Sequence, residues 1–130
     1  MSDTRISGIV IILIAVAALT VAQIVLKSRL SVHGAIPFSP PELASYFGIL
    51  LRDWRVWAGG LTLLVASLLW YGGVSRLPLS QAFGFAALTY PLVFFSAIVF
   101  LREPFSWVGL LGNALIVAGV LMLASVKGAG

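Results

Sequence analysis

The sequence predicts an all-α membrane protein with four transmembrane helices and a short interfacial helix in the first loop, as one domain over residues 1–130. Hydrophobic residues make up 61% of the chain and charged residues only 9%, against about a quarter charged in an ordinary soluble domain. A soluble protein this small needs a largely polar surface, and this chain has too few polar side chains to cover one. Bilayer is therefore the solvent that its composition fits.

The first span is predicted over residues 6–26, which are apolar apart from three scattered polar side chains. Roughly 20 residues at 1.5 Å per residue cross the hydrocarbon core, so this length fits one transmembrane helix. A cleaved signal peptide is the alternative, because the Ala-Val-Ala run at 15–17 resembles a cleavage site. The apolar run continues well beyond that point and a single arginine precedes it, which favours a span.

The connection over residues 27–55 is the longest polar segment and contains the predicted interfacial helix. Pro40, Pro41 and Glu42 suit a helix N-terminus. Apolar residues follow at positions 43, 46, 47, 50 and 51, which is the spacing of one helical face. Such a helix lies either in the membrane interface or packed on the bundle, and the spacing leaves both arrangements open.

Three further spans are predicted over residues 56–74, 79–101 and 105–126. Pro91 inside the third span removes a backbone hydrogen bond and predicts a kink. Asn113 in the fourth span is predicted to hydrogen-bond between helices. Four spans place both termini on one side of the membrane. Five cationic residues on the loop side against three on the terminal side are too even to assign the orientation.

The charged and reactive residues limit the possible functions. The chain has no cysteine, one histidine and four carboxylates, so neither a metal site nor a cofactor nor a catalytic residue is predicted. The eight basic residues lie at the ends of apolar runs, where they meet lipid headgroups, so the pI near 10 does not indicate nucleic acid. No ionisable residue lies in the middle of a span, which argues against a proton relay.

A cluster of polar side chains is predicted at one membrane boundary, where the first and third spans end on the same side. Gln23 and Lys27 are one helical turn apart and share a helix face. Arg102 and Glu103 end the third span, and Arg29 closely follows Lys27. Lysine and arginine both bind phosphate, so this cluster suits an anionic lipid head group. A plain interfacial ion pair between Lys27 and Glu103 is the alternative.

Two residues of the third span are further binding candidates. Gln81 lies in its first turn and is either a ligand-binding residue or a hydrogen-bonding residue of the helix end. Tyr90 precedes Pro91 at the predicted kink. A kink of this kind either lines a substrate path or serves packing alone.

Several short motifs carry a family resemblance. They are Leu-Pro-Leu-Ser-Gln-Ala at 77–82, Tyr-Pro at 90–91, Arg-Glu-Pro at 102–104, the glycines at 112 and 119, and Ala-Gln-Ile-Val-Leu-Lys at 22–27. The C-terminal half resembles the EamA-type unit of the drug/metabolite transporter superfamily. Nearly all of the chain resembles the small four-span subunits proposed to flip undecaprenyl-phosphate-linked aminoarabinose across the bacterial inner membrane. Small multidrug resistance exporters fit less well, because Leu19 stands where they carry a glutamate.

This resemblance implies a transporter, not an enzyme, that moves a polyprenyl-phosphate-linked sugar or a similar anionic lipid. It implies that Lys27 and Arg102 neutralise the phosphate, that Gln23 hydrogen-bonds the head group, and that Glu103 positions Lys27 or contacts an amino sugar. Four spans enclose little volume, so we expect a homodimer or a heterodimer with a related small subunit. The alternative functions are a small-molecule transporter of the same superfamily and a non-transporting accessory subunit.

Overall fold

The computed structural model describes residues 3–126, which form an α-helical bundle. Over these residues the helices are α1 (Asp3–His33), α2 (Pro40–Leu50), α3 (Trp54–Val74), α4 (Leu79–Ala86), α5 (Thr89–Phe100) and α6 (Trp107–Ser125). Because α4 and α5 form one interrupted span, the described chain has four segments long and apolar enough to cross a membrane. The predicted all-α fold with four transmembrane helices is confirmed, and the chain is a multi-pass membrane protein.

The first helix continues past Leu26, through Lys27 and Arg29, and ends at His33. Lysine, arginine and leucine are good helix formers, so the polar residues that mark the membrane boundary do not end the helix. Gly34 ends it instead, with a φ of 87° in the left-handed region that favours glycine. The hydroxyl of Tyr46 in α2 donates a hydrogen bond of 2.6 Å to the Gly34 carbonyl, which ties α2 to the end of α1.

The second helix packs along one edge only. Tyr46 and Leu50 are buried, while Phe47 and Leu51 remain exposed. One part of the apolar face predicted for this segment therefore packs on the bundle, and the other part is exposed. Of the two arrangements left open by the sequence, α2 combines a contact with the protein and an apolar edge that suits the membrane interface.

The close packing of α1 and α3 depends on glycines. The two helices run antiparallel, with Gly73 against Ile12 near one end and Gly59 against Leu26 near the other. Small residues let the backbones of membrane helices approach, and packing contacts then hold the helices together, because lipid offers no hydrophobic driving force. α1 and α3 form the most extensive helix pair of the described bundle.

The remaining spans pack on α1 and on each other in the same way. The α4–α5 span runs parallel to α1, and Gly8 of α1 lies against Leu77, just before α4. α6 runs antiparallel to that span, and Gly84 of α4 lies against Leu123. The first and third spans therefore end on the same side of the membrane, as their predicted order requires.

Most of the buried core lies in one half of the bundle. The core side chains come from the first half of α1, from α4 and the turn before it, and from the second half of α6: Ile12, Val16, Leu77, Ala82, Phe85 and Val120. In the same half, the Arg5 guanidinium donates a hydrogen bond of 3.1 Å to the Val126 carbonyl. The bundle is thus packed tightly near Arg5 and more loosely near Lys27.

The third span is interrupted at Ala87 and Leu88. Pro91 has no N–H, so the Ala87 carbonyl cannot accept the regular helical hydrogen bond. The Tyr90 N–H donates to that carbonyl instead, at 3.1 Å. The helix is thus interrupted one turn before Pro91, in the region where the sequence predicts a kink.

An ion pair joins α1 to the start of α3. Arg29 Nε donates a hydrogen bond to Asp53 Oδ2, and His33 Nε2 lies 3.7 Å from the same oxygen. Asp53 Oδ1 accepts a bond of 3.0 Å from the Arg55 N–H, which caps the helix N-terminus. Desolvation raises the pKa of Asp53, but the hydrogen bonds from Arg55 and Arg29 outweigh it and hold that pKa below its ordinary value of 3.8.

We expect Gly73→Ala to destabilise the bundle, because a Cβ at this position would collide with Ile12. Ile12 is fully buried and β-branched, so it cannot turn aside. The expected loss is about 1–3 kcal/mol, which is typical of overpacking. Gly60→Ala in the same helix is the matched control, because a Cβ there meets nothing within 4 Å. Unfolding of the detergent-solubilised protein measures both variants, and equal stabilities would contradict the described contact.

The stabilising contribution of Asp53 is expected to disappear in acid. Its pKa is lower in the folded protein than in the unfolded chain, so the contribution is complete above 3.8 and is lost as the pH falls through the folded pKa. Asp53→Asn keeps a capping side chain but removes the charge, so it should flatten this acid dependence, whereas Asp53→Ala should also lower the unfolding temperature at neutral pH. Thermal unfolding across this pH range measures both effects. Wild-type and Asp53→Asn profiles of the same shape would contradict the ion pair.

Candidate functional site

A groove opens between α1, α5 and α6 in the looser half of the bundle, with a volume of about 600 Å³. It is lined by Gln23 of α1, by Thr89, Tyr90, Val93 and Phe94 of α5, and by Gly109, Gly112, Asn113 and Ile116 of α6. We call it the polar groove, because four of these side chains carry hydrogen-bonding groups within membrane-spanning helices.

Local backbone features shape the walls of the polar groove. The interruption at Ala87 and Leu88 makes Thr89 the first residue of α5. Gly109 of α6 lets the Phe94 ring approach, since a Cβ there would lie 2.7 Å from Phe94 Cε2. The Phe94 ring also contacts Phe105, with centroids 6.2 Å apart, so the loop over residues 101–106 adjoins the groove.

Two polar atoms of groove residues have no hydrogen-bond partner within residues 3–126, namely Thr89 Oγ1 and Asn113 Oδ1. Asn113 Nδ2 donates to the Gly109 carbonyl of its own helix at 2.8 Å, so the predicted hydrogen bond between helices is wrong. An unpaired polar group is costly in hydrocarbon. Both atoms are buried, so a polar ligand group in the groove reaches them only after a covering side chain moves.

Two of the predicted site residues line the polar groove, and three more are exposed at the same end of the bundle. Gln23 and Tyr90 line it. Lys27 is exposed one turn beyond Gln23 on the same face of α1. Arg102 and Glu103 are exposed in the loop over 101–106, at the same end of the bundle. In the described part of the chain, no ion pair joins Lys27 to Glu103.

Two predicted site residues lie elsewhere. Arg29 is held by Asp53, because two residues along a helix rotate the side chain by about 200° and turn it away from the face of Lys27. Gln81 is 6% exposed in α4 and is not among the lining residues of the polar groove. Its Oε1 has no hydrogen-bond partner within the described range, so this atom does not make the predicted helix-end bond.

Arg102 has an unusual backbone conformation. Its φ of 55° lies in the left-handed region. The N–H groups of Leu101 and Glu103, on either side of it, both donate to the Ala97 carbonyl, at 3.0 and 3.2 Å. Glycine normally occupies such a position at a helix end, and another residue costs roughly 1–2 kcal/mol. The arginine is therefore present where the backbone alone would favour glycine.

Sequence reasoning did not identify Thr89 or Gly109 as site residues. A threonine in a span usually donates to a carbonyl of its own helix, as Thr20 and Thr62 do. Thr89 differs because it follows the interruption caused by Pro91, and that proline was the available signal. Gly109 shows its role only when Phe94 of another helix is placed against it.

Curated relatives identify the family. A protein from Klebsiella pneumoniae subsp. pneumoniae is named "Probable 4-amino-4-deoxy-L-arabinose-phosphoundecaprenol flippase subunit ArnF"; it is 35% identical over 119 residues, which cover 85% of this chain and 90% of the relative. A protein of the same name from Klebsiella pneumoniae strain 342 is 38% identical, over 66% of this chain and 61% of the relative. Another from Erwinia tasmaniensis is 32% identical, over 89% of this chain and 93% of the relative. No protein-family profile and no solved structure matches. The chain belongs to the family of 4-amino-4-deoxy-L-arabinose-phosphoundecaprenol flippase subunits.

Proposed function

We propose that this chain is a flippase subunit that moves a polyprenyl-phosphate-linked sugar across a bacterial inner membrane. The observation that carries this proposal is the polar groove, with Thr89 Oγ1 and Asn113 Oδ1 unpaired within residues 3–126. Sugar hydroxyls can both donate and accept hydrogen bonds, so they satisfy these two buried groups once the side chains that cover them move. Gln23 and Tyr90 are exposed at the groove and contact the same head group.

The phosphate binds at the membrane boundary, between Lys27 and Arg102. Lys27 supplies a compact charge one turn from Gln23, and Arg102 supplies a planar guanidinium that can hold a phosphate through two hydrogen bonds. Glu103, beside Arg102, contacts the amino group of an amino sugar such as the one in the relatives' names. Arg29 has a structural role in this proposal, because Asp53 already holds it.

The uneven packing of the bundle supports a path that is accessible from one side. The core around Ile12 and Phe85 lies in the half opposite Lys27, so a head group can enter from the Lys27 boundary and is stopped by the packed half. Further movement requires that half to loosen. A second subunit, either a copy or a related chain, completes the wall of the groove where Gln23 and Tyr90 are exposed. Membership of the EamA-type superfamily is part of this proposal and rests on the short sequence motifs.

Lys27→Ala is expected to slow translocation by roughly tenfold to a hundredfold, because a charge-assisted hydrogen bond to the phosphate is lost. The chain and its partner subunit are reconstituted in liposomes, and appearance of undecaprenyl-phosphate-linked aminoarabinose on the far side is measured. Arg52→Ala is the matched control, since Arg52 is an exposed cation at the same end and does not line the polar groove. A wild type that moves no lipid would refute the proposed function, and an unchanged rate in Lys27→Ala would refute the role of this lysine.

Arg102→Gly is expected to separate stability from activity. Glycine relieves the left-handed backbone, so the unfolding temperature should stay the same or rise. Translocation should nevertheless fall by about tenfold, because the phosphate contact is removed. Arg102→Lys keeps the charge and should retain more activity than Arg102→Gly, though less than wild type. Full activity in Arg102→Gly would show that the guanidinium does not bind the lipid.

A further inference from the structure

A second groove adjoins the polar groove on the side of the packed core. It lies between α1, α3 and α4 and has a volume of about 350 Å³. We call it the aromatic slot; its main lining residues are Leu19, Ala66, Trp70, Tyr71, Phe83 and Ala86. Thr89 lines both the aromatic slot and the polar groove, so the two spaces share a wall at the interruption of the third span.

One face of α1 follows both grooves. Ala15 and Leu19 line the aromatic slot, and Gln23 lines the polar groove. These residues and Lys27 are spaced by four, which places them on successive turns of one helix face. A molecule that extends from the Lys27 boundary along this face passes the polar groove first and the aromatic slot second.

The aromatic slot offers apolar contacts and little hydrogen bonding. Its floor includes Ala15 and Ala66, both only 3% exposed. Trp70 and Phe83 meet edge to face with centroids 5.1 Å apart and join α3 to α4. The Ser67 hydroxyl, which also lines the slot, donates to the Leu63 carbonyl at 3.0 Å and is satisfied without a ligand. The slot therefore suits a hydrocarbon chain.

We propose that the aromatic slot binds a section of the polyprenyl chain beyond its first isoprene unit, while the phosphate stays at Lys27. This inference rests on the proposed function, because a phosphate held at Lys27 places its own polyprenyl chain along this face of α1. A volume of 350 Å³ holds roughly a dozen groups of about 30 Å³ each, or roughly two isoprene units, and the rest of the chain lies in the bilayer. Lipid already surrounds any apolar chain, so the slot contributes through close packing, and its shape decides the affinity.

Filling the aromatic slot tests the proposal. Dissociation constants are measured for the full-length chain in phosphatidylcholine nanodiscs, with undecaprenyl phosphate as the long probe and dimethylallyl phosphate, a single isoprene unit, as the short one. Ala86→Trp should weaken the long probe by about tenfold and leave the short probe within about twofold. Ala118→Trp is the matched control, because Ala118 is exposed on α6 and lines neither groove. It should bind both probes like wild type.

A second variant distinguishes loss of the slot from misfolding caused by the added tryptophan. Phe83→Ala removes one wall of the aromatic slot without adding bulk, and it should also weaken the long probe selectively. Lys27→Ala should weaken both probes, because both carry the phosphate. Suppose that Lys27→Ala weakens the binding of both probes, whereas Ala86→Trp and Phe83→Ala bind the long probe like wild type. The slot proposal is then overturned and the proposed function stands. If wild type binds neither probe, the proposed function fails and the slot proposal fails with it.

Discussion

Hydrocarbon supplies no hydrogen-bond partners, and the arrangement of polar groups in this bundle follows from that constraint. Several span hydroxyls are satisfied by their own helix: Thr20 donates to the Val16 carbonyl at 2.8 Å, and Thr62 donates to the Ala58 carbonyl at the same distance. Within the described chain, Thr89 Oγ1, Asn113 Oδ1 and Gln81 Oε1 lack such partners. Two of these three atoms belong to residues that line one groove, whereas Gln81 is buried in α4. The polar groove is therefore the candidate site, because two buried polar atoms without a hydrogen-bond partner belong to residues that line it.

The uneven packing of the bundle has its origin in the third span. α4 belongs to the packed half, where Ala82 and Phe85 join the core, while α5 lines the polar groove. The interruption at Ala87 and Leu88 lies between these halves, and it exists because Pro91 cannot donate a hydrogen bond. One imino acid thus separates a closed half of the bundle from an open half. An asymmetric state of this kind is what a carrier must pass through when its site faces one side of a membrane at a time.

The sequence predicts the parts of this structure that depend on local pattern. Apolar run lengths predict the four spans, and the spacing after Pro40 predicts α2. The position of the end of α1 does not follow from polarity, because Lys27 and Arg29 mark a membrane boundary without ending a helix. The pairing of Arg29 with Asp53 joins residues far apart in the chain, and neither periodicity nor composition indicates it. Gln23 was recognisable from its spacing to Lys27, whereas Thr89 required knowledge of where the helix breaks.

The unequal lengths of α1 and α3 fix the height of the basic residues relative to the bilayer. α1 has 31 residues and is about 46 Å long, whereas the hydrocarbon core is about 30 Å thick. α3 has 21 residues, which matches that thickness, and contacts at Gly73 and Asp53 set its register on α1. α1 therefore extends beyond both ends of α3. Lys27 lies two residues before Arg29, or roughly 3 Å closer to the membrane centre than the Arg29–Asp53 ion pair. In the proposed binding mode, a lipid whose phosphate meets this amine keeps that phosphate in the plane of its own leaflet while the sugar turns inward.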